Sequence, residues 1–193
     1  MKVSREQAAE NRERIIEVAG RLFRERGFDG IGVADLMKAA GLTHGGFYGH
    51  FKSKEDLIAQ ASARAHAGTC EAWSQTADRL GGEAFAVLAS QYLSVAHRDN
   101  PGMGCAFAAL GSEAGRQGEA VRSVFSQGLE GFVGVLSRIL PGRSAAARRR
   151  KALAAMAQMV GALAIARAVD DEALSKEILA AAREDLGIEP AVN

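Results

Sequence analysis

Apolar residues recur at helical spacing along almost the whole chain. Ile15, Ile16, Ala19, Leu22 and Phe23 form one stripe, and Arg12, Glu13, Arg24 and Glu25 fall off it. Ser4, with Gln7 three residues later, fits a capping box. Gly27 supplies the stop, with Phe28 placed to fold back on the helix end. A short second helix is predicted over 34–40, buried through Val33, Leu36, Met37 and Ala40 and ended by Gly41. Thr43 then caps a third helix over 43–51, with Phe47 and Phe51 facing inward. Ser53 caps a fourth, which has Asp56 at the capping-box position and Leu57, Ile58 and Ala61 inside. Nothing interrupts it before about Arg79, and Gly81-Gly82 breaks it. Further helices are predicted over 83–97, 103–116, 120–140, 144–169 and 172–186. Turns fall at Asp99-Asn100-Pro101-Gly102 and Pro141-Gly142.

These elements define an all-α chain. Three short helices with a Gly-containing turn between the second and third are a helix-turn-helix pattern. The expected organisation is a helix-turn-helix DNA-binding domain over 1–60 and a helical ligand-binding and dimerisation domain over 61–193. The boundary falls inside the fourth helix, so the two share a rigid element. No internal repeat or low-complexity linker is present.

Composition supports helices over sheets: 48% of the 193 residues are hydrophobic, only 6% are aromatic, and there are 3 prolines. Charge adds nothing toward nucleic acid. The formal net charge is +1, and residues 1–60 carry ten Lys/Arg against nine Asp/Glu. A DNA-binding case must therefore rest on geometry. Two cysteines, Cys70 and Cys105, make no disulfide framework and fit a reducing cytoplasm. The first 26 residues lack an apolar signal core, and no uninterrupted apolar run approaches 18 residues. A cytoplasmic location and no membrane partner are expected.

The segment Phe28–Leu57 reads FDGIGVADLMKAAGLTHGGFYGHFKSKEDL. Its Ala-Gly-Leu-Thr, Phe-Tyr-x-His-Phe and Lys-Ser-Lys-Glu-Asp-Leu runs resemble the N-terminal DNA-binding domain of TetR-family repressors in order and spacing. The likeness covers about 60 residues. It implies a homodimer that binds double-stranded operator DNA and is released by a small-molecule effector. By position, Thr43 would cap the reading helix and touch a phosphate. His44, Gly45 and Gly46 would face base edges, Tyr48 and His50 would contact phosphates, and Lys54 would meet the backbone. Hydroxyls, an ammonium group and helix-terminal amides are the donors that phosphates need. Gly32 stands where many members open the second helix with Thr or Ser, which removes one familiar phosphate contact.

Beyond the motif, Trp73, Phe85, Tyr92, Met103, Cys105, Phe107, Phe125, Met156 and Met159 are candidates to line an effector pocket, because they come from several helices. Leu153, Val160, Leu163, Leu174, Ile178 and Ala182 are candidates for a dimer interface built as a four-helix bundle. The same residues also read as plain core. Cys105 follows Gly102-Met103-Gly104 at an expected helix start, which makes it a candidate redox or electrophile sensor; a small buried hydrophobe is the plainer reading. Arg148-Arg149-Arg150-Lys151 reads as a solvated first turn, since four consecutive positions cannot share a helix face. His44 and His50 lack the Cys, Asp or Glu that would complete a metal site. No nucleophile–base–acid set or Gly-rich phosphate loop is evident, so neither an enzyme nor a cofactor is expected.

Overall fold

The computed structural model describes residues 4–188, and the described residues form nine α-helices and no strand. α1 (Arg5–Arg26) starts where Ser4 Oγ accepts the Gln7 amide at 3.1 Å, and its apolar stripe is buried. α2 (Val33–Ala39) closes on a left-handed turn. There Gly41 has φ +72°, and the Gly41 and Leu42 amides donate back to Lys38 and Met37 at 3.0 and 2.9 Å. Glycine adopts that φ without steric cost. α3 (Lys54–Leu80) begins where Ser53 Oγ accepts the Asp56 amide at 3.1 Å.

The third predicted helix takes another form. His44–Gly49 is a 3₁₀ segment, and Thr43 holds the N-cap position without a side-chain capping bond. The Gly46 amide donates to the Thr43 carbonyl at 3.0 Å, the tighter 3₁₀ spacing. Gly45, Gly46 and Gly49 each weaken α-helix propagation, and six residues are too few to propagate without it. The segment is anchored by Phe47, which is fully buried and lies 5.6 Å from the Phe51 ring.

Beyond α3 come α4 (Ala84–Tyr92), α5 (Val95–Asp99), α6 (Ala106–Ala114), α7 (Glu119–Ile139), α8 (Ala145–Ala168) and α9 (Glu172–Asp185). The single helix predicted over 83–97 is thus two. Ser94 lies between them, donating to the Gln91 carbonyl at 2.8 Å and accepting the His97 amide at 3.1 Å. Serine competes with the helical backbone in just this way. The helix predicted from residue 103 begins only at Ala106, because Pro101–Met103 forms a 3₁₀ turn and Cys105 takes the N-cap.

α3 lies along α1 and α7, α7 packs on α8, and α8 on α9. One apolar core gathers Phe23, Phe28, Leu36, Met37, Phe47 and Leu57 and continues into α6 and α7 through Leu110, Val121 and Phe125. A second fills the C-terminal half around Trp73, Tyr92, Phe132, Met156, Met159 and Leu163. By length and composition α8 could cross a membrane, although no uninterrupted apolar run underlies it; its Ala152, Met156, Met159 and Leu163 are buried in the second core.

Candidate nucleic-acid interface and adjoining cavity

The outward side of the 3₁₀ segment carries His44, Gly45, Tyr48 and Gly49, all exposed, and the Tyr48 ring is 71% exposed. Tyr48 stands edge-on to buried Phe47 at 5.2 Å, so the core fixes the base of an otherwise free phenol. Thr43 is exposed, while His50 and Lys54 are half-buried. Gly46 is turned inward. A Cβ there would sit 3.7 Å from Met37 Cε and 3.8 Å from Thr43 Oγ1, whereas at Gly45 and Gly49 it would meet open space. Gly46 is thus not placed to face a base edge as expected.

A polar network joins the start of α3 to α1. Asp56 accepts the Lys52 amide at 2.9 Å and the Gln60 amide at 2.7 Å. Those bonds hold its carboxyl below the ordinary value, with the Lys52 amide the larger cause. Gln60 accepts in turn from Arg12 of α1, whose guanidinium lies over the Phe51 ring at 5.4 Å. The start of α3, the end of the reading segment and α1 are therefore tied together.

A cavity of about 180 Å³ opens in the C-terminal half. Trp73, Tyr92, Met103 and Cys105 line it together. Thr69, Leu88, Gln91, His97 and Gly104 complete the wall, none of them singled out from sequence. Met103 is 81% exposed and stands at the rim. Phe85 packs against the second core, where Met156 and Met159 are buried; Phe107 and Phe125 stack on His66. None of these five lines the cavity.

His97 organises the cavity's polar side. Its Nδ1 donates to the Tyr92 carbonyl at 2.7 Å, and its Nε2 accepts the Cys105 amide at 3.0 Å. Only the neutral imidazole satisfies both bonds, and burial lowers the His97 pKa accordingly. Glycine is required at 104, because a Cβ there would lie 2.6 Å from His97 Nε2. Cys105 is buried at the N-cap of α6. The Tyr92 hydroxyl beside it is enclosed without a hydrogen-bond partner, and burial, reinforced by that thiol, pushes its pKa well above the ordinary value. Behind them Arg167 donates to the His97 and Arg98 carbonyls at 2.6 and 3.0 Å.

The cavity wall continues into a contact with the helix-turn-helix. Gly102 precedes Met103, and its carbonyl accepts both Nε and Nη2 of Arg24 from α1. At the other end of α6, the Glu113 carboxylate accepts the Phe28 amide at 2.7 Å. The turn before α6 and the C-terminal end of α6 are thus each tethered to the end of α1. The only sequence hint of this was Phe28 behind the Gly27 stop; the partners lie 78 and 85 residues away.

Of the six dimer candidates, Leu153 and Leu174 are exposed, and Val160 and Ile178 are half-buried. Leu163 and Ala182 belong to the protomer's own core, which corrects their place in an interface. Of the Arg148–Lys151 run, Arg149 pairs with Glu130 at 2.6 Å and Arg148 donates to the Gly142 carbonyl. Among the described residues no cluster of metal-ligating side chains occurs.

An all-α chain with an N-terminal helix-turn-helix and a helical C-terminal half is the class these elements define. Residues 15–61 match the family described as bacterial regulatory proteins, tetR family. The transcriptional regulator AcrR of Shigella flexneri is 40% identical over 57 residues, 30% of this chain and 26% of that protein. The chain thus matches about a quarter of the length of such curated relatives. The reduced form of Escherichia coli NemR superposes with a TM-score of 0.78 at 24% identity, covering 95% of this chain and all of that one. Bacillus subtilis FadR in complex with stearoyl-CoA superposes with a TM-score of 0.62 at 18% identity, covering 88% and 96%. Residues 15–61 thus match the tetR-family model, and the fold of the chain is shared with these solved structures.

Proposed function

We propose that this chain is a transcriptional regulator that binds a palindromic operator as a homodimer and is released by a small molecule, acting as a repressor. Thr43, His44, Gly45, Gly49, Tyr48, His50 and Lys54 form the DNA-facing set. Tyr48, Lys54 and Thr43 donate to phosphates, and His44 reaches a base edge beside glycines that let the backbone approach. The two reading heads enter successive major grooves roughly 34–36 Å apart.

The observation that carries the ligand-responsive part is the continuity of Met103–Cys105, in the cavity wall, with Gly102, held by Arg24 of α1. A molecule that enlarges the cavity displaces that turn and the N-cap of α6 against the reading head. The stearoyl-CoA held by the Bacillus neighbour supports a fold that accommodates small molecules. The dimer reading rests on α8 and α9, where Leu153, Ile165 and Leu174 are exposed. A Cβ on Gly161 meets nothing within its own chain, leaving room for a partner helix to approach closely.

Selection from random duplexes tests this reading. It predicts a palindromic site bound by two chains. One chain per duplex, or no sequence preference, refutes it.

A second reading makes Cys105 itself the switch. It is favoured by the unpartnered Tyr92 hydroxyl beside that thiol in the cavity wall. It predicts loss of DNA binding on treatment with peroxide or electrophile in the natural chain but not in Cys105→Ser. Identical responses remove it.

A further inference from the structure

The reading segment has little of its own to hold it. His44–Gly49 is a 3₁₀ turn with three glycines and no side-chain cap, and only residues 50–53 join it to α3. In that joint three successive amides are pinned. His50 and Phe51 donate to the Phe47 carbonyl at 2.9 and 3.0 Å, and Lys52 donates to the Asp56 carboxylate at 2.9 Å. The first two bonds close on the segment itself. The third depends on where the Asp56 carboxylate stands.

Asp56 is held from α1. One of its oxygens accepts the Lys52 amide, and the other accepts the Gln60 side-chain amide at 2.7 Å. The Gln60 oxygen accepts in turn from Nη2 of Arg12. A carboxylate only accepts and a guanidinium only donates, so one orientation of the Gln60 amide serves both. Charge at each end strengthens both bonds.

The same guanidinium lies over the ring of Phe51, the residue before Lys52, at 5.4 Å. Arg12 thus reaches the joint twice, through Phe51 on its apolar side and through Gln60 and Asp56 on its polar side. Its one ion pair among the described residues, to Glu13 at 3.9 Å, is too long for a hydrogen bond. A methionine at 12 could cover Phe51 but would donate nothing; the planar guanidinium does both.

We propose that Arg12 is a positioning residue for DNA binding: without contacting DNA itself, it fixes the Lys52–Lys54 backbone through Gln60 and Asp56, and so sets how well His50 and Lys54 meet phosphates. This rests on the operator-binding reading above.

Arg12→Met, Gln60→Leu and the double variant test it, each titrated with the selected palindrome across a salt series. Both side chains are half-buried, so the fold should survive with Tm nearly unchanged. Arg12→Met should weaken binding about tenfold, the loss of one charge-assisted hydrogen bond, with the salt slope unaltered. A slope flatter by about one unit would make Arg12 a phosphate contact and overturn the proposal. Gln60→Leu should weaken binding by a similar factor, and the double variant no further, because the two side chains act in series. Losses that simply multiply overturn it, as does natural affinity in Arg12→Met. Without DNA, the Lys52 amide should exchange with solvent several-fold faster in either single variant; an unchanged rate refutes the relay. Should one single variant fail to fold, the affinity, salt slope and exchange rate of the other decide. If the natural chain selects no palindrome, the operator-binding reading has failed. If it does and the variants bind that site equally well, this inference alone has.

Discussion

The two halves of the molecule place their polar chemistry in opposite directions. Among the described residues of the helix-turn-helix the buried ones are apolar, and the Tyr48 hydroxyl and His44 imidazole stand on exposed residues, with Lys54 half-buried beside them. Among the described residues the buried polar side chains, Ser62, His66, Arg98 and Ser175, all lie beyond residue 61. So do the enclosed atoms without a hydrogen-bond partner, on His66, Tyr92, Ser137 and Arg167. A reading head needs an inert interior and a surface of donors, because DNA meets only its surface. In the proposed function the second half encloses a ligand, and polar groups in its interior suit that use.

The largest effect should come from breaking the inert interior. Phe47→Ala removes the buried anchor of the 3₁₀ segment and should destabilise the first half by about 3–5 kcal/mol, read by denaturant unfolding. Operator binding should be lost with it.

The polar interior of the second half should show itself in acid. His66 is lowered from 6.5 to about 4, so the unfolded chain takes up its proton first. Its contribution is fully present above pH 6.5, falls as pH drops, and is lost through pH 4, by about 3 kcal/mol at most. His66→Leu should flatten that part of the curve of Tm against pH.

Arg24→Gln tests the link between the halves. Freeing the enclosed Gly102 carbonyl should cost about 1–3 kcal/mol. It should also reduce the release of DNA by an effector more than it reduces DNA binding itself. The smallest effect is local: Ser53→Ala removes one N-cap and about 1 kcal/mol of stability, with the fold unchanged.

The same contrast decides how much was legible in the sequence. α1, α2 and α3 could be read to within a residue or two because Ser4, Gly27, Gly41 and Ser53 mark their ends by local chemistry. The 3₁₀ form of the reading segment was missed although its three glycines were in view, because Thr43 looked like a sufficient cap. The break at Ser94 was missed because its two side-chain bonds form only once the turn exists. Of the nine pocket candidates, Trp73, Tyr92, Met103 and Cys105 could be named from their spread over three predicted helices, although the other five do not line the cavity. His66 and His97 could not. A single histidine on an apolar face carries no spacing signal, and the partners of both rings are set by how α3, α5, α6 and α7 stack. The tether of Arg24 to Gly102 was hidden for the same reason, lying across 78 residues.

The most direct test of the reading head is fluorescence anisotropy on the selected palindrome across a salt series. Affinity should fall steeply with salt, since phosphate contacts release counterions. Tyr48→Phe and Lys54→Ala should each weaken binding about tenfold while leaving Tm unchanged. Lys54→Ala should also flatten the salt slope by about one unit for each phosphate that the ammonium group neutralises. Affinity unchanged in both variants, or insensitive to salt, would contradict a reading head built on the outward face of His44–Gly49.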